Sequence, residues 1–204
     1  LAESLPGQGS RFTVVLPRRT GPRVLTRSAS DARAGTEGLL RMAIEMVAQV
    51  LNARVVSLLA PEGEGGDLVV QAALGLDERA VREGSIRSGE GVAGWVMEHR
   101  RPVCVAEPQD RPQGAGPGQR PYRTGTFLSV PLEDEQGLIG VLNVTDPISE
   151  TPFDAEDCHL ALHLAERLGA ALRQSAGSGE AREAAEETLR GALTGLQHGR
   201  HSAP

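Results

Sequence analysis

His159 and His163 stand four residues apart in a stretch of helical period, a spacing that can set two imidazoles over one metal ion. The segment between them, Leu160-Ala161-Leu162, holds no glutamate of the HExxH kind, and the sequence offers no third and fourth ligand, so the pair reads as solvated or interfacial. The two cysteines, Cys104 and Cys158, are the only thiols. Thiol catalysis needs an activated thiolate and, for turnover, a resolving thiol, and neither is legible here. Two cysteines make no disulfide framework, and both are expected to pack as small apolar side chains. Gly89-Glu90-Gly91-Val92-Ala93-Gly94 is glycine-rich, but it does not follow a strand in a βαβ unit, so it reads as a turn leading into a short helix rather than a dinucleotide loop. The residues able to do chemistry therefore assemble no catalyst.

The elements that position them are readable from period and turn chemistry. Phe127 to Leu132 and Leu138 to Thr145 alternate with the period of half-buried strands, and Asp134-Glu135-Gln136-Gly137 supplies the turn of an antiparallel hairpin. Asp154 follows as a candidate N-cap, with Asp157 at the third helical position, for a helix running to about residue 174. A first helix from about Thr36 to Leu51 is apolar except at Arg41, Glu45 and Gln49, which are spaced i, i+4, i+8 and form one narrow wet stripe. A helix so apolar needs covering on two sides; one is its own sheet, and a partner helix from a second subunit is the expected other cover. Strands are expected at 54–60, 68–74 and 102–106. The loop 107–124, with prolines at 108, 112, 117 and 121, has the length of a functional lid or mobile segment.

Composition narrows the function classes. Of 204 residues, 39% are apolar, enough for a sizeable core with flanking segments, but only 2% are aromatic, so no stacking platform for single-stranded bases exists. The formal charge of −6 opposes phosphate-backbone binding, and nucleic acid is not an expected ligand. All 21 basic residues are arginine, which has no physical meaning for function. No apolar run approaches the roughly 20 residues that cross a bilayer, and Leu1-Ala2-Glu3-Ser4 is no signal peptide. No membrane partner and a reducing, cytoplasmic location are expected. The absence of an initiator Met reads as a fragment.

Residues 3–17 form a Gly-punctuated turn running into a short apolar strand that ends in Pro17 and has no evident partner. The words PGQGSRFTVVLP resemble the closing strand of the ATP-binding domain of sensor histidine kinases. That resemblance implies that residues 1–17 are the remnant of such a domain, without its nucleotide boxes. Residues 18–35, with arginines at 18, 19, 23, 27 and 33 and no apolar period, read as a linker. After Gly177-Ser178-Gly179, within a flexible segment 175–204, a further helix is expected at 180–197, presenting Ala185, Leu189, Ala192, Leu193 and Leu196 on one side.

The order helix, two strands, GEGVAGWV helix, strand, long loop, SVPL strand, IGVLNVTD strand, PFDAED helix resembles a GAF domain over about residues 36–174. The resemblance implies an α+β fold, with a mixed, largely antiparallel sheet and helices on both faces, and a sensory or regulatory role in bacterial two-component signalling rather than an enzymatic one. It implies a small-molecule pocket at Trp95, Val103, Val105, Tyr122, Arg123, Phe127, Ser129, Asn143 and Thr145, and a homodimer through helices 36–51 and 155–174, attached to other signalling domains. No fixed cofactor or metal is implied; the ligand is an unnamed small molecule. Cyclic-nucleotide-binding members carry Asn-Lys, then Phe, three residues and Asp-Glu. Asn143, Phe153 and Asp157 match, but Val144 replaces the Lys and Cys158 the Glu, so cyclic nucleotides are not expected. Some relatives use cysteines to attach a bilin or to reduce free methionine sulfoxide, and neither cysteine set is present. A ligand-free dimerisation spacer is the alternative, followed by a GAF-fold methionine sulfoxide reductase.

Overall fold

A computed structural model describes residues 2–5, 9–12, 24–26, 34–63, 66–113, 125–149 and 151–175, together with 184, 185, 187, 188 and 191. Its elements in chain order are β1 (Ala2–Leu5), β2 (Gly9–Phe12), β3 (Leu25–Thr26), α1 (Ala34–Val50), β4 (Ala53–Glu62), β5 (Asp67–Leu74), α2 (Glu78–Glu83), β6 (Ser85–Ile86), α3 (Gly91–His99), β7 (Val103–Val105), β8 (Phe127–Asp134), β9 (Gly137–Pro147) and α4 (Ala155–Ser175). A 3-10 turn at Pro108–Asp110 follows β7.

Seven strands form one sheet in the order β3-β5-β4-β9-β8-β7, with β6 also on β5, and every pairing is antiparallel. The hairpin expected at Asp134–Gly137 is present: Asp134 faces Gly137 across a two-residue turn, and the Asp134 carboxylate accepts from the Gln136 N–H at 2.9 Å. Strand alternation divides the side chains between two cores. Val56, Leu58, Leu128, Val130, Leu142 and Val144 face α1 and α4, whereas Leu59, Val70, Val103, Val105, Phe127 and Val141 face α2 and α3. Helices thus cover both faces.

The long helices are fixed at their ends. Asp154 caps α4 by accepting from the Glu156 and Asp157 N–H groups at 2.9 and 3.0 Å, and Asp157 accepts in return from the Asp154 N–H at 3.3 Å. The preceding Phe153 N–H donates to the Thr126 hydroxyl, which itself donates to the Val105 carbonyl, so the helix start is tied to both β7 and β8. Gly169 lets α4 lie flat on β8, since a Cβ there would stand 2.5 Å from the Glu133 carbonyl oxygen. One turn further on, the Arg173 guanidinium grips the Asp134 carboxylate with two bonds of 2.7 and 3.1 Å.

That grip holds the Asp134 carboxyl below its ordinary value of 3.8, chiefly through the Arg173 hydrogen bond. A carboxyl held down in the fold adds stability above its unfolded value and loses it as pH falls through the folded one. Arg173→Gln is therefore expected to lower the melting temperature near neutral pH, with the gap to the parent protein closing below pH 3.8. A gap of the same size in acid would show that the ion pair is not its source.

Several expectations need correction. Residues 18–35 are not wholly a linker: Val24 is buried, and Leu25 and Thr26 pair with Ala73 and Ala72 at the sheet edge. Thr26 also donates to Glu37 of α1 at 2.7 Å. A two-residue strand is too short to show a period, which is why the segment read as unstructured. Gly9–Phe12 is not partnerless either, since it pairs with Ala2–Leu5 in a separate two-stranded sheet; residues 13–17 lie outside the described residues. Arg41, Glu45 and Gln49 are exposed as expected, and much of the remaining circumference of α1 is covered within the chain by the sheet and α4, with Leu40 and Met42 half-buried. Leu39, Ile44 and Val47 are fully buried without any second subunit. Of the helix expected at 180–197 only 184, 185, 187, 188 and 191 are described; all five are helical, and Ala185 is buried against the α1 and α4 core.

Candidate functional site

Most of the expected pocket residues fall on one face of the sheet, the face roofed by α3. Phe127, Ser129 and Val103, Val105 are held there by the β7–β8 register, Val103 opposite Ser129 and Val105 opposite Phe127. Asn143 and Thr145 follow from the β8–β9 register, opposite Ser129 and Phe127. Trp95, on α3, packs half-buried against the same apolar cluster and stacks on His99 with ring centroids 4.2 Å apart. Tyr122 and Arg123 lie outside the described residues.

The registers also bring in a residue that the sequence did not single out. Ser57 of β4 stands opposite Asn143, so Ser57, Asn143 and Ser129 form one polar row across three adjacent strands, ended by Ala73 on one side and Val103 on the other. Ser129 donates to the Asn143 carbonyl oxygen at 2.6 Å. That bond orients the Asn143 carboxamide and uses one of the two lone pairs of its oxygen. In the neighbouring row Thr145 is only 3% exposed, and its hydroxyl is sealed from solvent with no hydrogen-bond partner. Leaving such a group unpaired costs about 1–3 kcal/mol, and buried hydroxyls in folded proteins are as a rule bonded to protein or to ordered water.

Arg111 completes the arrangement. Its guanidinium carbon lies 5.3 Å from the centre of the Phe127 ring, the cross-strand neighbour of Thr145, and its Nε is buried without an acceptor. The adjacent acids are occupied elsewhere: Glu107 and Asp110 bond each other's backbone across the 3-10 turn, and Gln109 donates to Glu107. In the sequence Arg111 is one of three arginines in the Pro-rich loop 107–124, and nothing there signals that it reaches the sheet.

The cysteines correct another expectation. Cys104 and Cys158 are bonded to each other, with Cα atoms 6.2 Å apart, rather than packed as free thiols. Cys104 stands opposite Leu128 and faces the α1 and α4 core, so the bond ties β7 to the first turn of α4 on the sheet face opposite Ser129 and Thr145. Only folding brings a strand centre and a helix start together across 54 residues, so the pairing was not legible. His159 and His163 are both exposed on α4, and His163 lies 3.7 Å from Glu166. Among the described residues no three metal-ligating side chains gather, and no helix is long and apolar enough to cross a membrane.

A seven-stranded antiparallel sheet with two long helices on one face and two short ones over a polar-striped opposite face defines an α+β domain of two helical layers. The chain belongs to the GAF family, whose domain model matches residues 35–172. Solved structures with this fold include the GAF domain of an Acinetobacter phosphoenolpyruvate-protein phosphotransferase, 20% identical, covering 71% of this chain and 95% of that one with a TM-score of 0.53. The GAF-B domain of DevS from Mycobacterium smegmatis is 20% identical, with 67% and 92% coverage and a TM-score of 0.52. A type II free methionine-R-sulfoxide reductase from Thermoplasma acidophilum is 16% identical, with 70% and 96% coverage and a TM-score of 0.57. At these identities the likeness is one of fold.

Proposed function

We propose that this GAF domain is a sensory module of a bacterial signal-transduction protein, related to two-component sensor kinases, that binds a small molecule on the α3 face of its sheet. One observation carries the reading: a polar row, Ser57, Asn143 and Ser129, beside the sealed and unpartnered Thr145 hydroxyl, set into an otherwise apolar surface. Ligand sites have this make-up, a mostly apolar wall with a few placed polar groups. The kinase-like words in residues 3–17 support the signalling context. Output follows from differential binding: a ligand bonded to β8 and β9 favours one packing of α4, which is tied to β8 at Gly169 and to the hairpin at Arg173. A homodimer through α1 and α4 would carry that shift between subunits, using half-buried Leu40, Met42, Leu160, Leu162 and Leu172.

A methionine sulfoxide reductase activity resting on Cys104 and Cys158 fits less well, because both cysteines are bonded to each other on the far side of the sheet from the polar row. Native mass spectrometry of the purified chain is expected to show a retained small molecule that is lost on denaturation. Bare protein together with no thermal shift across a metabolite panel would instead favour a ligand-free spacer. Sedimentation as a monomer at micromolar concentrations, with and without ligand, would remove the dimer.

A further inference from the structure

Arg111 and Thr145 flank one aromatic ring from two directions, and each holds a buried polar atom without a partner. Their chemistries are complementary. A guanidinium offers only donors, in a fork that matches a carboxylate, whereas a threonine hydroxyl both donates and accepts. Between them, the Phe127 ring is buried and Val105 stands directly opposite it, so the ground they enclose is apolar. A further polar group on the same face is Asn143, two residues along β9 from Thr145, its carboxamide oriented by the Ser129 bond and carrying two N–H donors.

From this geometry we infer that the sensed molecule is a small organic carboxylate, its anion taken by the Arg111 guanidinium and a second oxygen on its carbon skeleton taken by Thr145 and Asn143. This inference rests on the binding role proposed above and names its ligand class. A neutral ligand would leave the buried Arg111 Nε without an anion beside it, in a setting where a charge-assisted bond is about twice as strong as a neutral one. A phosphate monoester is the less suitable anion: a single guanidinium against the apolar ground of Phe127 and Val105 leaves most of its charge and oxygens unmatched. A short oxo or hydroxy acid has this pair of functions and an apolar tail for the Val105 side, and the 2-oxo and 2-hydroxy acids are its simplest representatives.

The test is isothermal titration of the full chain with a series of straight and branched 2-oxo and 2-hydroxy monocarboxylates, each run beside its neutral amide and beside the matching phosphate ester. At least one acid is expected to bind while its amide binds about 10- to 100-fold more weakly, the range of a charge-assisted bond. Arg111→Gln should abolish that preference and Arg111→Lys should restore only part of it, since an ammonium lacks the fork. Thr145→Val should weaken the 2-oxo acid more than the plain acid of the same length. Circular dichroism confirms that each variant is folded; should Thr145→Val fail that check, Thr145→Ser, which keeps the hydroxyl, must retain binding. Equal affinity of acid and amide, or an unchanged preference in Arg111→Gln, would overturn the carboxylate assignment. A neutral or phosphorylated molecule retained in native mass spectrometry would also overturn it while leaving the sensor role intact. Silence from the whole series together with a bare native mass would remove both.

Discussion

Reduction of the Cys104–Cys158 bond is expected to cost the domain about 4 kcal/mol, because the bond closes a loop spanning 54 residues and reopening it returns that chain entropy to the unfolded state. At about 2–4 °C per kcal/mol for a chain of this size, the melting temperature should fall by about 8–16 °C. The loss should not be uniform. The start of α4 would keep its Asp154 cap and its Phe153 bond to Thr126, so the helix should persist, but its hold on edge strand β7 would be reduced to that one relay. Hydrogen exchange is therefore expected to quicken first in β7 and the first turns of α4, ahead of β4 and β9 at the sheet centre. Thermal unfolding with and without a phosphine reductant checks the size. Cys104→Ser and Cys158→Ser should each melt near the reduced protein and be insensitive to the reductant. Matching melting temperatures for oxidised and reduced protein would show that the bond contributes nothing to the fold.

Gly140→Ala should cost about as much from a single methyl. Residue 140 lies in β9 between β4 and β8, and a Cβ built there stands 2.1 Å from the Leu59 carbonyl oxygen. The obstacle is backbone, so no rotamer change relieves it; β4 and β9 must separate just beyond the Leu59–Val141 pair that ends their ladder. Overpacking a core typically costs 1–3 kcal/mol, and a contact against main chain at the sheet centre belongs at the upper end, about 3 kcal/mol, or about 6–12 °C. Gly191→Ala is the control, since that residue is helical and nothing lies within 4 Å of its added methyl. A Gly140→Ala protein that melts with the parent would mean that β4 and β9 do not approach as described.

What the sequence made legible follows a physical pattern. The hairpin around Glu135-Gln136, the Asp154 cap and the wet stripe of α1 all rest on local chemistry, a turn, a side-chain acceptor or a 3.6-residue period, and each stands where it was read. The GAF fold followed from the order of those elements. What escaped was short or non-local. Helix α2 has six residues, too few for a period to show, although Asp77 caps it by accepting from the Ala80 N–H at 2.7 Å. Strand β3 has two residues and is recognisable only by what it pairs with.

The site divides along the same line. Ser129, Asn143 and Thr145 were placed in the pocket by the resemblance of their strands to GAF motifs, but Ser57 needed the β4–β9 register to join them. Arg111 needed the loop to bring it over Phe127, and the disulfide needed the packing of α4 on β8. That α4 covers part of α1 within the chain was not legible either, because a single sequence does not show which helices pack together. Among the described residues only Ile148, 47% exposed, is a large apolar side chain left open, so a dimer made through α1 and α4 would use half-buried positions.

The claim on which the functional reading turns is that ligand meets the α3 face of the sheet. Strand alternation provides a built-in comparison, since Asn143 and Thr145 point to that face while Leu142 and Val144, their immediate neighbours, point to α1 and α4. Side-chain amide and methyl NMR spectra recorded while the small-molecule fraction of a bacterial lysate is added would read both faces at once. The predicted result is early, saturable shifts at Asn143, Thr145, Val105 and Val141, with Leu142, Val144 and Leu128 responding later or less. Shifts confined to Leu142, Val144 and Leu128, or spectra unchanged on both faces, would contradict a ligand site on the α3 side.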